Sequence, residues 1–237
     1  MLKIIGLAKS FGAKAVLLGS DIEFESGRVY ALLGPNGSGK STFLRMLWGE
    51  LMPSAGSLRY GDETVDTVSP RWKGLIGPVP DDDALIEGLS VRGHLRLSAA
   101  LMGMSAAEAR AREEQLIELF GLGEAAEAKA AEDASRGNRK RLAIALALLG
   151  NPSILLMDEP FSGLDAERAE DLCAIMKALA GRGLIIIFSC HGVELARKAA
   201  SHAAIVENGF LRCVPLESLS PHAASGLTAK DILPWIG

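Results

Sequence analysis

Short, unbroken apolar runs recur along this chain at Val29–Leu33, Ile154–Met157, 184–188 and 203–206. Four or five apolar residues with no polar alternation predict strands covered on both faces. The opening Met1-Leu2-Lys3-Ile4-Ile5 has a strand-like alternation instead. Up to about Tyr60 the chain reads as β-rich, apart from a helix at 41–47. Between Ser90 and Gly150 the rhythm changes, and Ala, Leu, Glu and Arg dominate. Ser90 is an N-cap for a helix over 91–102. Ser105-Ala106-Ala107-Glu108 is a capping box for a helix running to about Phe120, with Gly121 as its stop. The Ala/Glu-rich stretch 124–133 is either helix or connector. A third helix covers 135–149 and is ended by Gly150 and Pro152. After it, short apolar strands alternate with helices at Ala166–Ala180 and 193–200. This order predicts an α/β fold, a mostly parallel sheet covered by helices and carrying a helical insertion.

Composition narrows the class. The chain has 237 residues, 49% of them hydrophobic, enough for one large domain or a domain with an inserted subdomain. A net charge of −4 supplies no polycationic footprint, so nucleic acid is not an expected partner. No apolar run reaches the 18 or so residues of a membrane span. Cys173, Cys190 and Cys213 are odd in number and widely spaced, which predicts neither a disulfide framework nor a zinc site. With no signal-peptide pattern at the N-terminus, the expected compartment is the reducing cytoplasm.

The chemistry is concentrated in Gly34-Pro35-Asn36-Gly37-Ser38-Gly39-Lys40-Ser41, which matches the phosphate-loop pattern G-x-x-x-x-G-K-[ST]. Gly34, Gly37 and Gly39 let the backbone curl until several N–H groups face one anion. Lys40 is a point charge for the β- and γ-phosphates, and the Ser41 hydroxyl is a hard ligand for Mg²⁺. A strand before the loop and a helix after it aim a helix N-terminus at the phosphates. A second constellation ends the run Ile154–Met157 in two carboxylates. Asp158 suits a Mg²⁺ ligand, and Glu159 suits a group that polarises an attacking water. His191 follows another predicted core strand, at the edge where open α/β sheets bind ligands.

These motifs in this order resemble the ATP-binding cassette (ABC) ATPases, over essentially the whole chain. Ser162-Gly163-Leu164-Asp165 looks like the family's D-loop, His191 its switch histidine, and Ala134-Ser135-Arg136-Gly137-Asn138 its signature. Ile76-Gly77-Pro78-Val79-Pro80-Asp81 occupies the Q-loop position. The tail from His202 to Leu219 resembles the closing β-hairpin and following helix. The resemblance implies a P-loop NTPase (RecA-like) core at 1–88 and 150–237, an N-terminal antiparallel β subdomain, and a helical subdomain at 89–149. It implies that Phe11 stacks on adenine and that Gly34, Pro35, Asn36, Gly37, Ser38, Gly39, Lys40, Ser41 and Thr42 hold the phosphates. By the same likeness Ser41, Asp158 and Asp81 serve Mg²⁺, while Glu159, His191 and Lys40 are catalytic. Ser135 and Gly137 complete the ATP site of a second cassette, in a homo- or heterodimer.

Two positions depart from the family pattern. Arg136 and Asn138 replace Gly and Gln of the signature, and Asp81 replaces the Q-loop glutamine. Both resemble variants in the branch that energises multidrug, antibiotic or polysaccharide export. Arg136 either adds charge to the bound anion or is a solvated residue beside Arg139, Lys140 and Arg141, a cluster expected to form a solvated helix face. Asp81-Asp82-Asp83 either ligates metal through water or is a solvated loop. The implied protein is an ATPase subunit that is peripheral on the inner face of the cell membrane. It docks through the cleft near 81–89 to a separate permease. Two other classes stand beside it: a soluble ATPase of translation or DNA maintenance, and a nucleotide-gated structural subunit with little turnover.

Overall fold

The computed structural model describes residues 1–82, 85–126, 131 and 135–219. Asp83, Ala134 and most of 124–133 lie outside these residues. The chain begins with strands β1 (Leu2–Phe11), β2 (Lys14–Phe24) and β3 (Val29–Leu33), then helix α1 (Lys40–Leu47). Next come β4 (Ala55–Tyr60), β5 (Glu63–Val65), α2 (Pro70–Leu75) and β6 (Ile76–Val79). Among the described residues, helices α3 (Val91–Leu101), α4 (Ala106–Leu119), α5 (Gly123–Ala126) and α6 (Arg136–Leu149) follow before the next strand. The chain continues through β7 (Ile154–Met157), α7 (Ala166–Ala180), β8 (Ile185–Ser189), α8 (Val193–Ala199), β9 (His202–Glu207) and β10 (Phe210–Pro215). The helix expected after the closing hairpin is a single 3-10 turn at Leu216–Ser218. The short elements β5 and α2 carry too few periodic residues to be predicted.

Two sheets form. One is antiparallel, in the order β2-β1-β4-β5. The other runs β10-β9-β3-β8-β7-β6, parallel throughout except for β10 at its edge. Period-2 alternation divides the parallel strands between two cores. Tyr30, Leu32, Ile154, Leu156, Ile185 and Ile187 face the antiparallel sheet and α1. Ala31, Leu33, Leu155, Met157, Ile186 and Phe188 face the helices. Every residue of β3, β7 and β8 is buried, the physical reason these runs lack polar alternation. The helix starts are capped as expected: Ser90 accepts from Gly93 N, and Ser105 and Glu108 form a reciprocal capping box. α6 lies close on β6, because a side chain at Gly77 would meet the Ala147 carbonyl at 2.4 Å. Among the described residues no helix is long and apolar enough to cross a membrane.

Candidate functional site

The parallel register brings four strand ends to one edge. Val79 pairs with Met157, Met157 with Phe188, and Leu32 with Ser189. Asp81 beyond β6, Asp158 and Glu159 beyond β7, His191 beyond β8 and the glycine loop beyond β3 therefore share the carboxyl edge. β3 lies between β8 and β9, so the strand order changes direction at the loop, the crevice where such sheets bind ligands.

The loop between β3 and α1 is built for backbone exposure. Gly37 and Gly39 have φ of 75° and 110°, which favour glycine. A Cβ at Gly34 would meet the Val206 carbonyl at 2.6 Å and Ser38 Oγ at 2.8 Å, and one at Gly39 would meet Val16 at 3.0 Å. Among the described residues no side chain caps α1, so its first N–H groups remain available to an anion. Ser38 Oγ is buried with no hydrogen-bond partner among the described residues. The Lys40 side chain curls into the loop, where Nζ donates to the carbonyls of Gly34 (2.8 Å) and Pro35 (3.2 Å). Burial lowers its pKa, opposed by the charges of Glu159 and Asp158. An unpartnered hydroxyl, free helix N–H groups and a buried ammonium all suit a polyphosphate.

Across the crevice, Asp158 is buried and its Oδ1 accepts from Ser189 Oγ at 2.6 Å. The same Ser189 Oγ accepts from Glu159 N at 2.8 Å. Glu159 is a non-glycine residue at φ 48°, and its Oε1 lies 2.9 Å from His191 Nε2. Burial raises the Glu159 pKa; His191 and Lys40 pull it down, while Asp158 and Asp81 push it up. Among the described residues no three His, Cys, Asp or Glu side chains group as a metal site. Mg²⁺ is commonly held by one or two protein oxygens plus substrate phosphates, and Ser41 with Asp158 fits that donor set.

Phe11 is exposed at the tip of the β1–β2 hairpin, with Lys9 Nζ 5.0 Å from its ring. The same hairpin presents Val16 and Leu17 to Gly39. Ser135 caps α6 by accepting from Asn138 N, and Arg168 Nη1 lies 3.5 Å from its Oγ. Arg136 donates to Ser162 Oγ at 3.1 Å, and its stem covers Gly163, so it engages its own chain's turn before α7. Gly137 is buried, and a Cβ there would meet Arg168 at 2.9 Å.

One expectation fails. The Arg139-Lys140-Arg141 cluster is not a solvated face, because Lys140 is 1% exposed. Its Nζ donates to Asp81 O at 2.8 Å and lies 4.0 Å from Asp81 Oδ1. Arg141 donates to Phe120 O and to Asn138 Oδ1. The packing of α6 on β6 turns one side of a basic run inward. Sequence reasoning also passed over Ser189, which joins the two carboxylate positions. Its one signal is a hydroxyl ending a fully apolar strand.

A family model described as ABC transporter matches residues 17–162. The Nod factor export ATP-binding protein I of Cupriavidus metallidurans is 34% identical over 209 residues, covering 88% of this chain and 69% of that protein. A solved structure described as the ATP binding subunit of an ABC transporter superposes with a TM-score of 0.82 at 27% identity, covering 92% of this chain and 90% of that one. The cbiO1 protein of Clostridium perfringens, described as part of the ABC transporter complex cbiONQ, superposes with a TM-score of 0.81 at 26% identity, covering 91% and 88%.

Proposed function

The chain belongs to the ABC transporter family, and on that footing we propose that it is the ATP-hydrolysing subunit driving a separate export permease. The observation that carries the catalytic assignment is the Asp158–Ser189–Glu159–His191 chain of contacts facing Lys40. Lys40 and the loop N–H groups bind the β- and γ-phosphates. Phe11, exposed on the neighbouring hairpin, supplies a face for adenine. Ser41 and Asp158, with Asp81 as a further acidic neighbour, would hold Mg²⁺, which would supply neutralisation of phosphate charge. Glu159 accepts a proton from the attacking water, and its raised pKa makes it a stronger base than an exposed carboxylate. His191 orients Glu159 and reaches the γ-phosphate. The separate partners of the two carboxylates, Ser189 for Asp158 and His191 for Glu159, support the division of labour.

Family membership carries the coarser statement that such subunits dimerise and work with membrane permeases. The finer reading is that Ser135 and Gly137 complete the ATP site of a facing cassette. Helices α3 to α6, inserted between β6 and β7, support a helical unit at 89–149 beside a core at 1–88 and 150–237. Its junction near 81–89 is the permease-docking cleft, at the inner face of the membrane. The relative named for Nod factor export supports export as the direction. Glu159→Gln tests the catalytic assignment: ATP binding persists, hydrolysis falls about 10²–10⁴-fold, and the nucleotide-bound dimer accumulates. Turnover at the wild-type rate would refute it.

A further inference from the structure

Lys9 and Phe11 stand two residues apart in β1 and share a face of the strand. The Lys9 ammonium lies 5.0 Å from the centre of the Phe11 ring, within the range of a cation–π contact. Phe11 is 48% exposed at the end of the strand, where it pairs with Lys14 across a tight turn that has Gly12 at φ 58°. An exposed ring in such a place has rotamer freedom to lose when a ligand stacks on it. The ammonium is itself anchored, since Nζ donates to Met52 O at 2.6 Å. The same stretch of β1 is tied to the same loop by Ser54 N, which donates to Ala8 O at 2.8 Å, and by Ser10 N, which donates to Ser54 Oγ at 3.1 Å. That loop leaves α1, and its Glu50 and Leu51 N–H groups both donate to Arg45 O. Lys40 and Ser41 lie in the first turn of α1. A continuous set of bonds therefore joins the helix behind the phosphate loop to the aromatic ring, although β1 and the strand that leads into α1 belong to different sheets.

We propose that Lys9 is a positioning residue for the nucleotide base: its anchored ammonium holds the Phe11 ring in one orientation, with the opposite face open to a planar base at a fixed span from the phosphate loop. This rests on the reading of Phe11 as the surface on which adenine stacks. Both faces of an aromatic ring are electron-rich, so a cation over one of them leaves the other for a stacked ligand. A ring already ordered in the free protein loses less freedom on binding, which strengthens affinity for the base. A polyphosphate with no base makes no use of that ring.

The test compares two ligands by equilibrium binding to the full chain, ATP and inorganic tripolyphosphate, each with Mg²⁺. Lys9→Met keeps the apolar stem and removes the charge. It raises the Kd for ATP about three- to fivefold and leaves the Kd for tripolyphosphate within about twofold. KM for ATP rises in step with Kd, while kcat stays within about twofold. Lys9→Arg, which keeps a cation over the ring, restores the affinity for ATP. In a Phe11→Ala background Lys9→Met has no further effect, because the ring through which it acts is gone. Wild-type ATP affinity in Lys9→Met, an equal loss for both ligands, or independent, multiplicative effects of the two substitutions would each overturn the proposal. The two readings fail differently. Weakened ATP binding in Phe11→Ala with none in Lys9→Met refutes the role of Lys9 alone. Wild-type ATP affinity in Phe11→Ala refutes the adenine reading, and the role of Lys9 with it.

Discussion

Glu159 is held in three ways at once: φ of 48°, a backbone N–H on Ser189, and a carboxylate against His191. Burial outweighs its favourable neighbours, and its pKa is raised. For stability the sign follows. A raised folded-state value contributes stability that is complete below the ordinary glutamate pKa and is lost as pH rises through the folded value. Glu159→Gln removes that loss. We expect the variant to melt a few degrees above wild type at pH 7, with the two curves converging below about pH 4. Thermal scans across about pH 4–8 check this, and a variant less stable than wild type at pH 7 would show that the His191 contact outweighs burial. At this scale the loop Gly34–Ser41, Asp158 and Glu159 were legible because their spacing is local. Ser189 and Lys140 were not, because each acquires its role from a partner 30 or more positions away.

The inserted helices carry their own electrostatic joint. Glu113 of α4 is 1% exposed, and Arg96 of α3 binds it through two nitrogens at 2.7 and 3.0 Å. Arg92 adds a bond at 2.5 Å and reaches Glu114 as well. Burial pushes the Glu113 carboxyl up, but the bonds from Arg96 and Arg92 prevail, and its pKa is lowered. A lowered carboxylate pKa contributes stability above the ordinary value that is lost as pH falls through the folded one. Glu113→Gln should therefore destabilise the chain by about 2–3 kcal/mol at pH 7, with the gap closing in acid. Urea unfolding at neutral pH and at about pH 4 measures it, and an equal deficit at both would point to packing instead. The helices themselves were readable from Ser90 and the Ser105–Glu108 box, whose bonds form within one turn. Their joint was not, since a charged residue in a helical run reads as solvated until its neighbour helix is known.

Across the whole molecule, the α6 N-terminus packs beside the turn before α7, through Arg136 on Ser162 and Arg168 near Ser135. The glycine loop lies elsewhere on the chain, between β3 and α1. The reading that Ser135 serves a facing cassette yields a test at this scale. Ser135→Arg should leave ATP affinity of the monomer within about twofold while blocking nucleotide-driven dimerisation. Light scattering with and without ATP, alongside equilibrium binding, separates the two. A large loss of monomer affinity would instead assign Ser135 to its own site.

The sequence alone determined the α/β class, the strands β3, β7, β8 and β9 of the parallel sheet but not β6, the capped helices and the nucleotide-binding chemistry. Each is encoded within a few consecutive residues, by apolar runs, caps or fixed glycine spacing. Only the tertiary structure decided the order β10-β9-β3-β8-β7-β6. That order aligns Asp81, Asp158, Glu159 and His191 at one edge. The inward turn of Lys140 was decided there too, because α6 must lie on β6 before a basic run acquires an inside. Strand order and burial are properties of long-range packing, and a side chain's local pattern does not carry them.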